Sequence, residues 1–141
     1  MKNDYYSIAM EDLLYVQTTL NTEFYNNISI MCQQISEKLL KSVAELECTD
    51  IDKLMQSHNL RALYTEIRKV RSDFILDPKE LSMLKDYYYD AKYPGDNFVV
   101  VDKISCEENL QVMYNVLKEV TEYREKENLE VILYNEKYLD N

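Results

Sequence analysis

Residues 77–97 read DPKELSMLKDYYYDAKYPGDN, and this stretch contains both the start and the stop of one helix. Asp77 is a typical capping residue, Pro78 suits the first helical position, and Glu80 stands three residues after the cap. At the other end, Pro94 has no backbone N–H and disfavours the α conformation of the residue before it. The pattern therefore predicts a helix that ends in a corner carrying tyrosines and a lysine.

Apolar residues recur every three or four positions in further segments, which is the spacing of one helical face. The stripes consist of Tyr6, Ala9, Leu13, Val16, Leu20 and Phe24; Ile28, Met31, Ile35, Leu39, Val43 and Leu46; Leu60, Leu63, Ile67, Val70 and Phe74; and Leu110, Met113, Leu117 and Val120. The expected N-caps are Asp4 for the first of these helices, Ser57 for the third and Ser105, within a capping box, for the last. With the helix of residues 77–97, the stripes predict five helices.

Three stretches have no long stripe. Residues 51–56 are expected to form a short connector or a single helical turn. Residues 95–103, which include FVVV at 98–101, are interpreted as an extended connector that packs its apolar side chains onto the helices. Residues 129–134 are rich in β-formers and could be a strand, a dimer contact or a helix end.

The length of 141 residues predicts a single domain, residues 1–141. One glycine and two prolines leave few tight turns, and five stripes with short connections predict an all-α fold, an antiparallel up-and-down bundle of four to five helices. No apolar run approaches the length of a membrane span, and the polar N-terminus does not resemble a signal peptide. We therefore expect a cytoplasmic protein with no membrane partner. The cysteines are expected to be buried thiols.

The net charge of −10 disfavours nucleic acid as a partner, since phosphate contacts dominate that kind of binding. The same charge could favour a basic protein partner. Metal ligands are too few, because His58 is the only histidine and no cysteine–histidine spacing fits a metal site. No phosphate-binding or dinucleotide-binding glycine pattern occurs, so no cofactor is expected.

Three blocks in order carry a resemblance to a known family. Tyr88-x-x-x-Lys92-Tyr93-Pro94 is similar to the basic-Tyr-Pro motif of the HEPN superfamily, residues 32–41 (CQQISEKLLK) resemble its Gln-x-x-Glu-Lys-x-x-Lys helix, and residues 57–63 (SHNLRAL) resemble its Thr-His-x-Leu-x-x-Leu helix start. One departure is the lysine of the triplet, which is usually arginine and holds phosphate bidentately. The resemblance implies a single HEPN-like helical domain that often forms homodimers.

The resemblance also bears on activity. HEPN ribonucleases carry an Arg followed four to six residues later by His, whereas every arginine of this chain lies after His58. The basic-Tyr-Pro block instead points to the non-nuclease branch, often encoded beside a minimal nucleotidyltransferase in toxin–antitoxin-like pairs. It implies a domain without its own catalysis that binds a nucleotide, pairs with a nucleotidyltransferase, or does both.

The candidate binding residues follow from these blocks. Lys92 is the natural phosphate contact at the corner, and Tyr88 and Tyr93 could stack on a base. His58 could meet an anion at the start of a helix, with Lys38 and Lys41 behind it on a polar face of the second helix.

Each of these residues could instead have a purely structural role. These roles are a structural imidazole for His58, a solvated stripe for the lysines, and core packing or a helix-end cation at the corner. Two other functions stay open. One is a pure interaction module without a small ligand, and the other is a degenerate ribonuclease built on His58.

Overall fold

The computed structural model describes residues 2–85 and 87–133, apart from the side chains of Lys85, Tyr88 and Tyr89. Its helices are α1 (Tyr5–Gln17), α2 (Tyr25–Glu47), α3 (Asp52–Met55), α4 (Leu60–Val70), α5 (Pro78–Lys85), α6 (Tyr87–Asp90) and α7 (Lys103–Lys126). No strand occurs among the described residues, and residues 129–133 have no regular structure. The predicted all-α bundle is confirmed.

Polar side chains cap the starts of α1, α4 and α7. Asp4 caps α1 as predicted, since its Oδ1 accepts from the backbone N–H of Ser7 at 2.7 Å. The predicted cap at Ser57 is wrong, because Asn59 Oδ1 accepts from the backbone N–H of Ala62 at 3.1 Å and begins α4. The serine hydroxyl instead accepts from the N–H of Asn59, also at 3.1 Å.

The start of α7 differs in the same way. Asp102 Oδ1 accepts from the backbone N–H of Ser105 at 2.7 Å, so the serine lies inside the helix and is not its cap. Neighbouring polar residues compete for one capping position, and backbone geometry decides between them.

Two connecting segments bury fewer apolar side chains than their sequences predict. Phe24, expected on the first stripe, is 63% exposed, because α1 ends at Gln17 and the chain turns before α2 begins. In the connector after Pro94, Val101 is buried but Val100 is 81% exposed. Successive side chains of an extended segment point to opposite sides, so this segment cannot bury all its valines.

The core surrounds α2, which contacts α1, α4, α5, α6 and α7. The buried side chains of α2 recur at helical spacing and are met by apolar side chains from each of the neighbouring long helices. Fully buried members include Leu13, Ile35, Leu39, Leu63, Ile67, Leu84, Met113 and Leu117. No described helix is long and apolar enough to cross a membrane.

Side-chain contacts give the direction of each helix relative to α2. Ser29 meets Asn109 near the starts of α2 and α7, and Glu47 meets Tyr123 near their ends, so these two helices run parallel. His58 contacts the middle of α2 while Arg71 contacts Glu47, so α4 also runs parallel to α2. The 12 residues between α2 and α4 carry the chain back along the bundle. Strict up-and-down alternation is interrupted at this one connection.

Candidate functional site

A cluster of polar side chains lies between the middle of α2 and the start of α4. Glu37 Oε1 lies 2.9 Å from Nδ1 of His58, and Glu37 Oε2 accepts from Nζ of Lys41 at 3.0 Å. Gln33 Nε2 donates to Glu37 Oε1 at 3.1 Å and to the backbone carbonyl of His58 at 3.2 Å. We call Gln33, Glu37, Lys41 and His58 the polar cluster. One carboxylate at its centre holds an imidazole, an ammonium and an amide.

The polar cluster is mostly inside the protein. The side chains of Lys41 and Glu37 are 6% and 11% exposed, whereas the His58 side chain is 37% exposed. Buried charges require a partner, and here the lysine and the glutamate supply it to each other. The cluster therefore presents an imidazole to solvent with an ion pair beneath it.

Local sequence explains how the cluster assembles. Gln33, Glu37 and Lys41 are spaced by four residues, so they lie one above another on one face of α2. His58 comes from the segment just before α4, where the cap at Asn59 fixes the chain direction. Gln33 and Glu37 were not among the residues predicted for the site, although their spacing of four residues, continued to Lys41, was an available signal.

The arrangement can orient an imidazole. A carboxylate at Nδ1 keeps the proton on that nitrogen and sets the ring's direction, as in many acid–base sites. Cleavage of a phosphodiester also requires a cation that stabilises the developing charge. The nearest cation in the polar cluster, Lys41, is buried and directed at Glu37.

The structure separates Lys38 from the polar cluster. Its Nζ contacts Asp12 Oδ2 of α1 at 2.5 Å, so it links α1 to α2. Lys38 and Lys41, expected on one polar face of the second helix, therefore contact different neighbours. Adjacent positions on a helix are about 100° apart in direction, so Lys38 faces a different neighbour.

The corner after α6 is a second place where candidate residues lie. Lys92 Nζ lies 5.5 Å from the centroid of the Tyr93 ring, a cation–π contact, and Tyr93 is 50% exposed. Asp90 and Asp96 line the hollow beside this ring. The predicted role of Tyr88 rests on a side chain outside the described ones.

The corner and the polar cluster contact α2 at different positions along its length. Asn26 Nδ2 donates to the carbonyl of Ala91 at 3.1 Å and to that of Val99 at 2.8 Å, while its Oδ1 accepts from the N–H of Val101 at 2.8 Å. The corner is thus held at the N-terminal end of α2. Asn26 and Glu37 are eleven positions apart on α2, which is ~16 Å along a helix. The two sets of candidate residues are therefore separate sites along one helix.

Metal binding has no support in the described part of the chain. Within residues 2–85 and 87–133, no group of three or more His, Cys, Asp or Glu side chains is placed to hold a metal ion.

The fold and the polar cluster together define a small helical-bundle domain built around one long central helix. A model of the HEPN domain matches residues 3–127 of the 141, which is most of the chain. The protein belongs to the HEPN family. This confirms the family resemblance carried by the three sequence blocks. Comparisons with curated proteins and with solved structures found no match.

Proposed function

We propose that this HEPN domain acts by binding another protein, a separate nucleotidyltransferase, and has no catalysis of its own. The observation that carries the proposal is that Glu37 holds both His58 and Lys41, so the two side chains that a nuclease would direct at RNA are bound to one carboxylate of the protein itself. Lys38 is likewise paired with Asp12. Neither lysine of α2 is positioned to hold a phosphate.

Charge supports the same conclusion. A net charge of −10 repels RNA, and the two lysines of α2 are each paired with a carboxylate. Protein partners with basic surfaces are attracted by such a field.

The test of this proposal has two parts. The first incubates purified protein with labelled RNA, beside a His58→Ala variant. We expect no cleavage by either protein, and cleavage that disappears in the variant would overturn the proposal. The second co-expresses the chain with nucleotidyltransferases of its source genome and measures complex formation by size-exclusion chromatography with light scattering. A stable complex of defined stoichiometry is expected, and failure with every candidate would contradict the proposal.

Nucleotide binding at the corner is the second candidate function. The exposed cation–aromatic pair of Lys92 and Tyr93 favours it, because a base could stack on the ring while the ammonium meets phosphate. Asp90 and Asp96 oppose it, since they place carboxylates beside any phosphate.

A thermal-shift panel of nucleotides separates the two functions. A ligand at 100 times its Kd adds ~2.7 kcal/mol, and each kcal/mol raises the Tm by roughly 2–4 °C for a domain of this size. We expect a nucleotide-binding protein to lose the shift in Lys92→Ala and keep it in Lys79→Ala, which removes an exposed lysine at the start of α5. A flat panel would exclude this second function.

A further inference from the structure

A groove runs between the first half of α7 and the segment that joins α1 to α2. Its larger hollow, about 560 Å³, is lined by Leu20, Ile104, Leu110 and Tyr114 together with carboxylates of α7. A second hollow of about 260 Å³ shares Leu20 and Leu110 with the first and continues toward the start of α2. The two hollows form one groove with an apolar floor.

The rim of this groove is acidic. Glu107 and Glu108 lie along α7, and Glu23 lies on the opposite side near the start of α2. All three are exposed, and the basic residue that lines the groove is Lys103 at one end. The floor also carries Ile104, an isoleucine that is 68% exposed. Apolar side chains framed by charges of one sign are typical of a surface that binds a protein segment.

The groove has the length of a short helix. Lys103 and Tyr114 are 11 positions apart on α7, or ~16 Å, which is three turns of a helix laid alongside. An amphipathic helix occupies such a groove with apolar side chains at every third or fourth position. Phosphate-bearing ligands are disfavoured here, because the rim carboxylates repel them.

We infer that this groove binds a basic amphipathic helix of a partner protein, with leucine-like side chains on the floor and Lys or Arg against Glu23, Glu107 and Glu108. The inference rests on the proposed function, in that the partner is a protein, and it adds where that partner docks and what chemistry recognises it. The complementarity of a rim of three carboxylates and a cationic helix carries the choice of occupant.

The test uses a fluorescent 14-residue helical peptide with Leu on one face and Lys on the flanks, and measures its binding by anisotropy. The variant Glu107→Gln/Glu108→Gln removes two rim charges. Its matched control, Glu122→Gln/Glu125→Gln, removes two exposed charges farther along the same helix. We expect about tenfold weaker binding by the rim variant, because two contacts with the cationic peptide are lost together. We expect less than about twofold weakening by the control, because its charges do not line the groove. Circular dichroism checks that all variants keep the wild-type fold.

The variant Ile104→Asn tests the floor without changing charge, and we expect weaker binding from it as well. Equal weakening by the rim and control variants would mean general attraction to an acidic protein and would overturn the inference. Self-association that Ile104→Asn abolishes would make a second copy the occupant and would also overturn it. Tighter peptide binding by a chain ending at residue 133 would overturn the inference too. Residues 134–141 would then compete with the peptide and be the occupant of the groove.

Measuring nucleotidyltransferase binding by the groove variants distinguishes a failure of this inference from a failure of the proposed function. If the nucleotidyltransferase complex forms equally well with Glu107→Gln/Glu108→Gln and with Ile104→Asn, the partner does not dock in the groove, although the proposed function still holds. A complex that the rim variant weakens and the control variant does not would support both.

Discussion

Nζ of Lys41 lies 3.0 Å from Oε2 of Glu37, and the two side chains are 6% and 11% exposed. An i,i+4 pair of this kind usually lies on a wet helix face and contributes only ~0.3–0.5 kcal/mol. Here the pair is buried, and His58, from the segment just before α4, contacts the same glutamate at 2.9 Å. The same two residues therefore have a different energetic role in the fold than their spacing predicts.

The buried pair predicts a large asymmetry between its variants. Glu37→Gln leaves the Lys41 ammonium buried without a counter-ion, and we expect the free energy of unfolding to fall by ~3–5 kcal/mol. The double variant Glu37→Leu/Lys41→Met removes both charges and should recover much of this loss. Urea unfolding monitored by circular dichroism measures both.

A matched control for this pair exists on α4. Glu66 and Lys69 form an exposed pair at i,i+3, with side chains 43% and 63% exposed. We expect Glu66→Gln to cost under ~1 kcal/mol. If Glu37→Gln costs no more than Glu66→Gln, the polar cluster is not a buried network.

The cap of α4 predicts different effects for two neighbouring polar residues. Asn59→Ala removes the acceptor for the N–H of Ala62, and we expect a loss of ~1 kcal/mol in unfolding free energy. Ser57→Ala removes only a contact in the preceding loop and should cost less. Paired thermal melts distinguish the two variants, and a larger loss from Ser57→Ala would show that the cap is assigned to the wrong residue.

Asn26 is the residue on which the corner depends. Its amide makes three hydrogen bonds to backbone groups of Ala91, Val99 and Val101. We expect Asn26→Ala to lower the unfolding free energy by ~2–3 kcal/mol, because each lost bond contributes ~0.5–1.5 kcal/mol. Hydrogen exchange of the Val101 amide should accelerate selectively. The neighbouring exposed Asn27→Ala is the control, and equal effects of the two variants would contradict this role.

Acid stability should depend on Asp73. Arg71 donates to this carboxylate at 2.9 Å and 3.1 Å, which lowers the pKa of Asp73 to about 2. A pKa lowered in the folded state stabilises the protein above the unfolded value near ~4, and this contribution is lost as the pH falls toward 2. Asp73→Asn should therefore show a shallower loss of unfolding free energy between pH 4 and pH 2.

The control for the acid series is Asp96→Asn, an exposed aspartate that forms no ion pair within the described part of the chain. Urea midpoints at several pH values in low salt measure the difference between the two variants. Parallel pH curves for wild type and Asp73→Asn would mean that the Arg71 contact does not persist in solution.

Local sequence rules predicted the helices well because helices are built from local contacts. The stripes of α2 and α7 agree with buried residues such as Ile35, Leu39, Met113 and Leu117, and the cap at Asp4 is confirmed. The predicted starts of α4 and α7 differ from the observed ones by two and three residues, because Asn59 and Asp102 compete with nearby serines for the capping position. Of the polar cluster, His58 and Lys41 were candidate residues from the sequence, whereas Gln33 and Glu37 were not.

The sequence by itself determined the all-α class, the helix-forming stripes, the stop before Pro94 and the family, since each depends on residues close together in the chain or on short motifs. Only the tertiary structure decided that α4 runs parallel to α2, that Glu37 and Lys41 are buried, and that His58 joins them while Lys38 turns to Asp12. These outcomes depend on pairings between residues 21 and 26 positions apart, and side chains on one helix are distinguished only by what packs against them. Spacing along the chain does not encode this packing, which buries Glu37 and Lys41 at the centre of the candidate site.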